Sequence, residues 1–300
     1  MRPSLRIQGN PTVSDRSAVL LQYLIPKQAL TNFAGWVAGK KRGKVTTWII
    51  KRFVAKYGVN MSEALDSDIR AYKTFNAFFT RALKPGARPL AKADLVCPVD
   101  GAISQFGRIE GDQIFQAKGH HYSCAALLAG SAALAAPFTN GSFATIYLSP
   151  KDYHRIHMPC TGRLLRMTYV PGDLFSVNPT TARGVPGLFA RNERVVCLFE
   201  SELGPFALVL VGATIVGSMQ TAWHGVVNPP RTGKVREWRY EDKQIVLQQG
   251  EEMGRFLLGS TVVLLFPGPP LAFSPVWVPA RPVRLGEVMA NRSSQQAASQ

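Results

Sequence analysis

The chain has 300 residues, 46% of them hydrophobic and 18% charged, a composition that supports one packed core or a core with an appendage. Its net charge of +16 predicts acidic partners, either nucleic acid or an anionic membrane surface. No apolar run approaches the roughly eighteen residues of a bilayer-spanning helix, and no signal-peptide pattern is present, so a chain that stays on the cytoplasmic side without crossing the membrane is expected.

Residues 1–17 read as a polar lead-in. Between Met1 and Lys56 stand eleven Lys or Arg residues and one acid, Asp15. Leu30, Phe33, Ala34 and Val37 recur at helical spacing, as do Ile50, Phe53, Val54 and Tyr57. Lys51, Arg52 and Lys56 fall off the second stripe, and Lys40, Lys41, Arg42 and Lys44 fill the joint between the two helices. Basic amphipathic helices of this kind lie in the headgroup region of anionic membranes. The alternative is that both stripes face a core and the lysines are merely solvated; Trp48, among the basic residues, blurs the pattern. No basic patch with interleaved aromatics matches a nucleic-acid module.

The helical region ends near residue 83 at the breakers Lys84, Pro85, Gly86, Ala87, Arg88 and Pro89. Short β-rich runs follow at 142–148, 163–170, 194–199, 206–216, 244–248 and 261–266, with one Ala/Leu-rich helical interlude at 122–134. The fold class is therefore α+β: a mainly β domain over 84–292, preceded by a basic amphipathic helical region over 1–83 and followed by a polar tail over 293–300. Cys97, Cys124, Cys160 and Cys197 stand far apart, so reduced core thiols are expected rather than disulfides or a thiolate metal site.

Four segments combine chemistry-bearing residues. Pro98-Val99-Asp100-Gly101 offers a carboxylate in a turn before a strand, or is an ordinary Asp-Gly turn. The run from Ser149 to Pro159 carries Lys151, Asp152, Tyr153, His154, Arg155 and His157 directly after an expected core strand. No third metal ligand stands at a familiar spacing, and acid–base work by one histidine with ligand contact by the other fits the residue types better. The run from Pro171 to Pro179 suits an anion-binding loop and a tight turn equally. The last segment, Gly254 to Val262, contains Gly259-Ser260-Thr261. Ser260, His157 and Asp100 are the residue types of a Ser-His-Asp relay, although the G-x-S-x-G elbow is missing. An ordinary turn at Ser260 remains the alternative.

Taken together, these segments resemble the bacterial phosphatidylserine decarboxylase proenzymes, over about residues 19–290. The matching stretches, in family order, begin with Phe75-Asn76-Ala77-Phe78-Phe79-Thr80-Arg81 and the breaker series, then Pro98 to Gly101 and Ala117 to Ser123. Leu148 to Pro159, Pro171 to Asn178, Val211 to Ser218 and Gly254 to Val262 follow.

The resemblance implies that the proenzyme cleaves itself between Gly259 and Ser260, with Asp100 and His157 as relay partners of Ser260. His157, held in the right tautomer by Asp100, deprotonates the Ser260 hydroxyl, which attacks the Gly259 carbonyl. Elimination and hydrolysis then leave a pyruvoyl group, derived from Ser260, as the covalent cofactor. It also implies a Schiff base with the serine amine of phosphatidylserine, release of CO2 and formation of phosphatidylethanolamine. By its place in the motif, His154 is the expected proton donor; Lys151, Arg155 and the 172–178 loop are looser candidates for phosphate or carboxylate contact. The expected partners are the lipid substrate, an anionic membrane surface at the cytoplasmic face of the inner membrane, and the chain's own two fragments. A homo-oligomer stays open. The rival activities are a pyruvoyl decarboxylase of a soluble amino acid, and a serine hydrolase or acyltransferase using Ser260.

Overall fold

In the computed structural model the described residues are 20, 22, 27–214, 218–257 and 261–293. The 1–17 lead-in, the tail beyond residue 293 and the Leu258-Gly259-Ser260 tripeptide fall outside them.

Two helices, Lys27–Gly39 and Lys44–Tyr57, form where the apolar spacing predicts them. The second ends on Gly58, whose left-handed backbone lets its N–H cap the Val54 carbonyl. A short helix, Phe75–Phe79, is started by the Thr74 side chain accepting from the Ala77 N–H. Ile50, Tyr72, Phe78 and Phe79 bury together, with Phe53 packed edge-on against Phe75 and Phe78. Part of the second stripe thus faces a small core. Trp36, Val45 and Trp48 stay at least half exposed, at 55%, 50% and 60%.

The β region is dominated by one antiparallel sheet. Its strands run in the order Arg236–Arg239, Gly162–Val170, Arg194–Ser201, Gly204–Val211, Thr261–Phe266, Ser142–Tyr147, Gly101–Arg108, Pro282–Val283, with Val246–Leu247 also pairing to Gly162–Val170. Every residue of Thr261–Phe266 is buried, because both faces of the sheet are covered. Val262, Leu264 and Phe266 point into one core, and Val263 and Leu265 into the other, as the two-residue period of a strand requires. On the first face lies a smaller sheet, ordered Gly225–Val226, Met219–Thr221, Glu252–Phe256, Arg155–His157.

Two expected elements differ. The run at 206–216 is strand to Val211 and leaves the sheet over 212–214, with 215 and 216 outside the described residues. The interlude at 122–134 splits into the end of a strand and two short helices, Cys124–Leu127 and Ala132–Ala135, each capped by a serine, Ser123 and Ser131. Ala129 and Gly130 take left-handed backbone between them, which stops a continuous helix. All four cysteines are buried and unpaired. Among the described residues no helix is long and apolar enough to cross a membrane.

Candidate functional site

Sheet register gathers the motif segments. Ala102, Tyr147, Thr261, Val211, Arg194 and Val170 are successive cross-strand partners, forming one row across the large sheet. The strands alternate in direction, so the residues just beyond this row all emerge at the same edge. They are Gly101 with Asp100 behind it, Leu148, Gly212, Glu193 and Pro171. Segments far apart in the sequence, from 98 to 212, therefore meet at the end of the sheet where Thr261 stands. Gly101 makes part of this fit possible: a Cβ there would stand 2.4 Å from the Tyr147 carbonyl oxygen.

The 98–101 turn and the histidine strand are stitched together directly. The His157 N–H donates to the Pro98 carbonyl at 2.9 Å, and the Val96 N–H to the Pro159 carbonyl at 2.9 Å. The side chains, however, do not make the expected Asp100–His157 hydrogen bond. Asp100 accepts from Arg88 Nε at 2.9 and 3.1 Å, from Arg88 Nη2 at 2.6 Å and from the Leu285 N–H at 2.9 Å. Arg88 Nη2 also reaches Glu63 at 2.8 Å. Burial opposes the charge on Arg88, but its bonds to Asp100 and Glu63 outweigh that and raise its pKa.

His157 is oriented by a different group. Its Nδ1 lies 2.8 Å from the Gly250 carbonyl, which can only accept, so the neutral ring carries its proton on Nδ1. Nε2 then accepts from the Tyr153 hydroxyl at 3.1 Å. Burial lowers the His157 pKa, and the Gly250 carbonyl and the charges of Glu252 and Asp100 only partly offset it. At neutral pH the ring is a base with its lone pair on the nitrogen facing Tyr153, and Asp100 acts on it through its field. Burial also pushes the Tyr153 phenol up to about 12, so it stays protonated.

His154 is completely buried and stacked on Phe79, ring centroids 4.0 Å apart. Neither ring nitrogen has a partner in hydrogen-bond geometry, although the Ser149 and Pro150 carbonyls lie near enough to favour a proton. Burial, aided by the Arg81 charge, brings its pKa down to about 3. Its carbonyl accepts from the Phe256 N–H at 3.0 Å, which sets it two residues from the undescribed tripeptide. The Phe-Phe-Thr-Arg stretch thus holds the histidine segment in place. Phe79 covers His154, the Thr80 carbonyl accepts from Arg155 Nε, and Arg81 Nη2 reaches the Lys151 carbonyl.

Of the looser contact candidates, Arg155 and the 172–178 loop have partners of their own, and the Lys151 side chain has none among the described residues. Arg155 pairs with Glu252 at 2.9 Å, and Lys151 is exposed. In the 172–178 loop, Asp173 pairs with Arg191, the Phe175 N–H donates to Asn192, and Asn178 caps the helix Pro179–Gly184. Gly259 and Ser260 themselves lie outside the described residues. Sequence reading assigned no role to Arg88, Tyr153 or Glu193. The first two were visible inside quoted motifs; Glu193 carried no local signal. Among the described residues no cluster of His, Cys, Asp or Glu is arranged to hold a metal.

Comparison with known proteins bears on the whole chain. The family described as phosphatidylserine decarboxylase matches residues 75–291, and a second family profile, described as PSD, matches 17–58. A phosphatidylserine decarboxylase proenzyme of Variovorax paradoxus (strain S110) is 81% identical over 93% of this chain and 99% of its own length. The proteins of the same name from Polaromonas naphthalenivorans (strain CJ2) and Herminiimonas arsenicoxydans are 78% and 69% identical, each over 93% of this chain and 98% and 95% of their own lengths. With its motif order, its converging segments and these matches, the chain belongs to the phosphatidylserine decarboxylase family.

Proposed function

We propose that this chain is a proenzyme that cuts itself between Gly259 and Ser260 and then converts phosphatidylserine to phosphatidylethanolamine and CO2. The observation that carries this reading is the single row from Ala102 to Val170, which contains Thr261 and beyond which the 98–101 turn and the histidine segment emerge. Family membership supplies the reaction class.

In the first reaction His157 takes the Ser260 proton at Nε2, the nitrogen that Tyr153 now occupies. The freed oxygen attacks the Gly259 carbonyl carbon, the peptide C–N bond breaks, and an ester forms with a free amine on residue 260. Loss of the α-proton expels the Gly259 carboxylate and leaves dehydroalanine. Tautomerisation to the imine and addition of water release ammonia and leave a pyruvoyl group. The Gly250 carbonyl holds the imidazolium that forms in the first step, and the Asp100 charge favours it.

The surroundings suit such a group. His154 and Asn76 Oδ1 carry buried polar atoms without partners beside the strand ends that flank position 260, and Thr261 Oγ1 is buried and unpartnered next to it. When present, the pyruvoyl carbonyl supplies an electron sink for the electrons left by departing CO2. His154 is the proposed proton donor. Phe79 shields it from water, and an anionic substrate nearby raises its pKa, opposing Arg81.

The helical region over 1–83 is proposed to rest on the membrane, and residues 84–292 to form the catalytic domain. Lys40 and Arg42 lie over the exposed Trp36 ring, and Arg52 over that of Trp48. Amphipathic aromatic rings beside cations suit the headgroup zone of an anionic bilayer. An apolar cleft of about 530 Å³, rimmed by Arg42, Arg52 and Lys56, opens between the same helices. These features favour a lipid over a soluble amino acid, and a peripheral place on the cytoplasmic face of the inner membrane.

Purified protein incubated with phosphatidylserine vesicles is expected to yield phosphatidylethanolamine and equimolar CO2, and to leave free serine untouched. CO2 from free serine at a comparable rate would instead support the soluble-amino-acid activity. Release of fatty acid from the vesicles without CO2 would support a hydrolase.

A further inference from the structure

The helices Lys27–Gly39 and Lys44–Tyr57 both pack against the short helix Phe75–Phe79, and the apolar cleft of about 530 Å³ separates them. That volume lies within the ~300–1,000 Å³ usual for ligand pockets. Leu30, Ala34 and Val37 line it from the first helix, Ile49 and Phe53 from the second, and Phe75 from the short one. The small Ala34 leaves space that a larger side chain would fill. Walls this apolar give water few partners, so hydrocarbon entering the cleft removes apolar surface from water.

The charge around the cleft selects its occupant. Arg42, Arg52 and Lys56 stand exposed on the rim, and neither helix carries an acidic residue. A second copy of the chain would bring the same cations face to face. The 1–17 lead-in carries Arg2, Arg6 and Arg16 against Asp15 alone, so the rim repels it too. An amphiphile with an apolar tail and an anionic head matches both the cleft and its rim. The aromatic wall also leads to the candidate site. Phe75 stacks on Phe79 with ring centroids 6.0 Å apart, and Phe79 stacks on His154 at 4.0 Å. These two steps together are shorter than the ~15 Å that a lipid chain spans in one leaflet.

Resting on the function proposed above, we infer that this cleft takes one acyl chain of the phosphatidylserine substrate out of the bilayer while the head turns to the histidine segment. A contact so far from the reacting atoms is equally strong before and during the reaction, so it is felt in KM. Docking onto a bilayer alone predicts no dependence on chain length for a lipid free in solution.

Lysophosphatidylserines with one hexanoyl or one octanoyl chain, each below its micellar concentration and without vesicles, are the probes. In processed wild-type protein the octanoyl KM is expected to be about tenfold lower, since each methylene moved out of water strengthens binding by about fourfold when fully buried. Ala34→Phe and Ile49→Trp fill the cleft from opposite helices, and each is expected to bring the ratio of the two KM values below about threefold. Arg52→Gln removes charge and no apolar volume, so it should raise both KM values and keep their ratio. A wild-type ratio persisting in both processed filling variants overturns the assignment. It does so even if they bind vesicles more weakly or self-associate less, because the bilayer or a second copy would then be the occupant. Should neither filling variant fold, a wild-type KM that ignores chain length overturns it alone. Absence of CO2 from every phosphatidylserine tried would instead refute the function on which the assignment rests.

Discussion

Ser260→Ala is expected to accumulate as one uncut chain of 32.8 kDa with no decarboxylase activity. The loss is complete because one oxygen serves twice. Without the hydroxyl nothing attacks the Gly259 carbonyl, and without the attack no carbonyl appears on residue 260 to accept electrons. Adding free pyruvate should restore nothing, since the group has to be covalently joined to the strand Thr261–Phe266. That strand is buried along its whole length and paired on both sides, so folding should survive the substitution. Circular dichroism and a normal thermal transition, together with the uncut mass, check that the effect is chemical. An uncut Ser260→Ala protein that still released CO2 would place the chemistry elsewhere.

The second large effect is expected at Arg88. Arg88→Met leaves the Asp100 and Glu63 carboxylates without their shared cation, at sites where the arginine side chain is 7% exposed. Removing one partner of a buried ion pair costs about 3–5 kcal/mol, much of it for the charge left behind. Stability should fall accordingly in urea titrations. Self-cleavage should slow by about tenfold or more, as Asp100 loses its bidentate anchor. The pH profile carries the more specific signature. With its cation gone, the Asp100 charge acts on His157 with less opposition, and a negative charge raises an imidazole pKa. Cleavage requires the neutral ring, so its rate should then rise at higher pH than in wild type. Arg88→Lys keeps the charge but not the fork, and should recover the wild-type pH midpoint with only part of the rate. A stable, fully processed Arg88→Met protein with an unmoved profile would reduce Arg88 to a surface-like pair.

Much of the fold was legible in the sequence. The strand Thr261–Phe266 covers the run expected at 261–266, whose residues 262–266 are all apolar because both faces of the sheet are buried. The strand Ser142–Tyr147 falls one residue short of its expected end, and the helices Lys27–Gly39 and Lys44–Tyr57 carry the predicted stripes. What periodicity missed were short pieces such as Arg155–His157 and Met219–Thr221, which both pair with Glu252–Phe256 lying between them. Three residues are too few for a two-residue period to declare itself.

The site was legible by residue and not by contact. Asp100 and His157 are brought to the same edge, yet the partner of Asp100 is Arg88, which stood in the sequence among breakers. The partner of His157 is a main-chain carbonyl, and no side-chain pattern announces a carbonyl. Glu193 was silent for a related reason: its three donors are Tyr169 on a neighbouring strand and Asn228 and Arg231 in one distant loop, and only the fold brings them to it.

The claim on which everything else depends is the conversion of Ser260 into a pyruvoyl group by cleavage at Gly259. Intact mass spectrometry of the purified wild-type protein tests it most directly. Two polypeptides are predicted, residues 1–259 with an ordinary C-terminal carboxylate and residues 260–300 with a pyruvoyl cap that blocks Edman degradation and reacts with hydroxylamine. A single chain of full mass that decarboxylates phosphatidylserine would contradict that conversion.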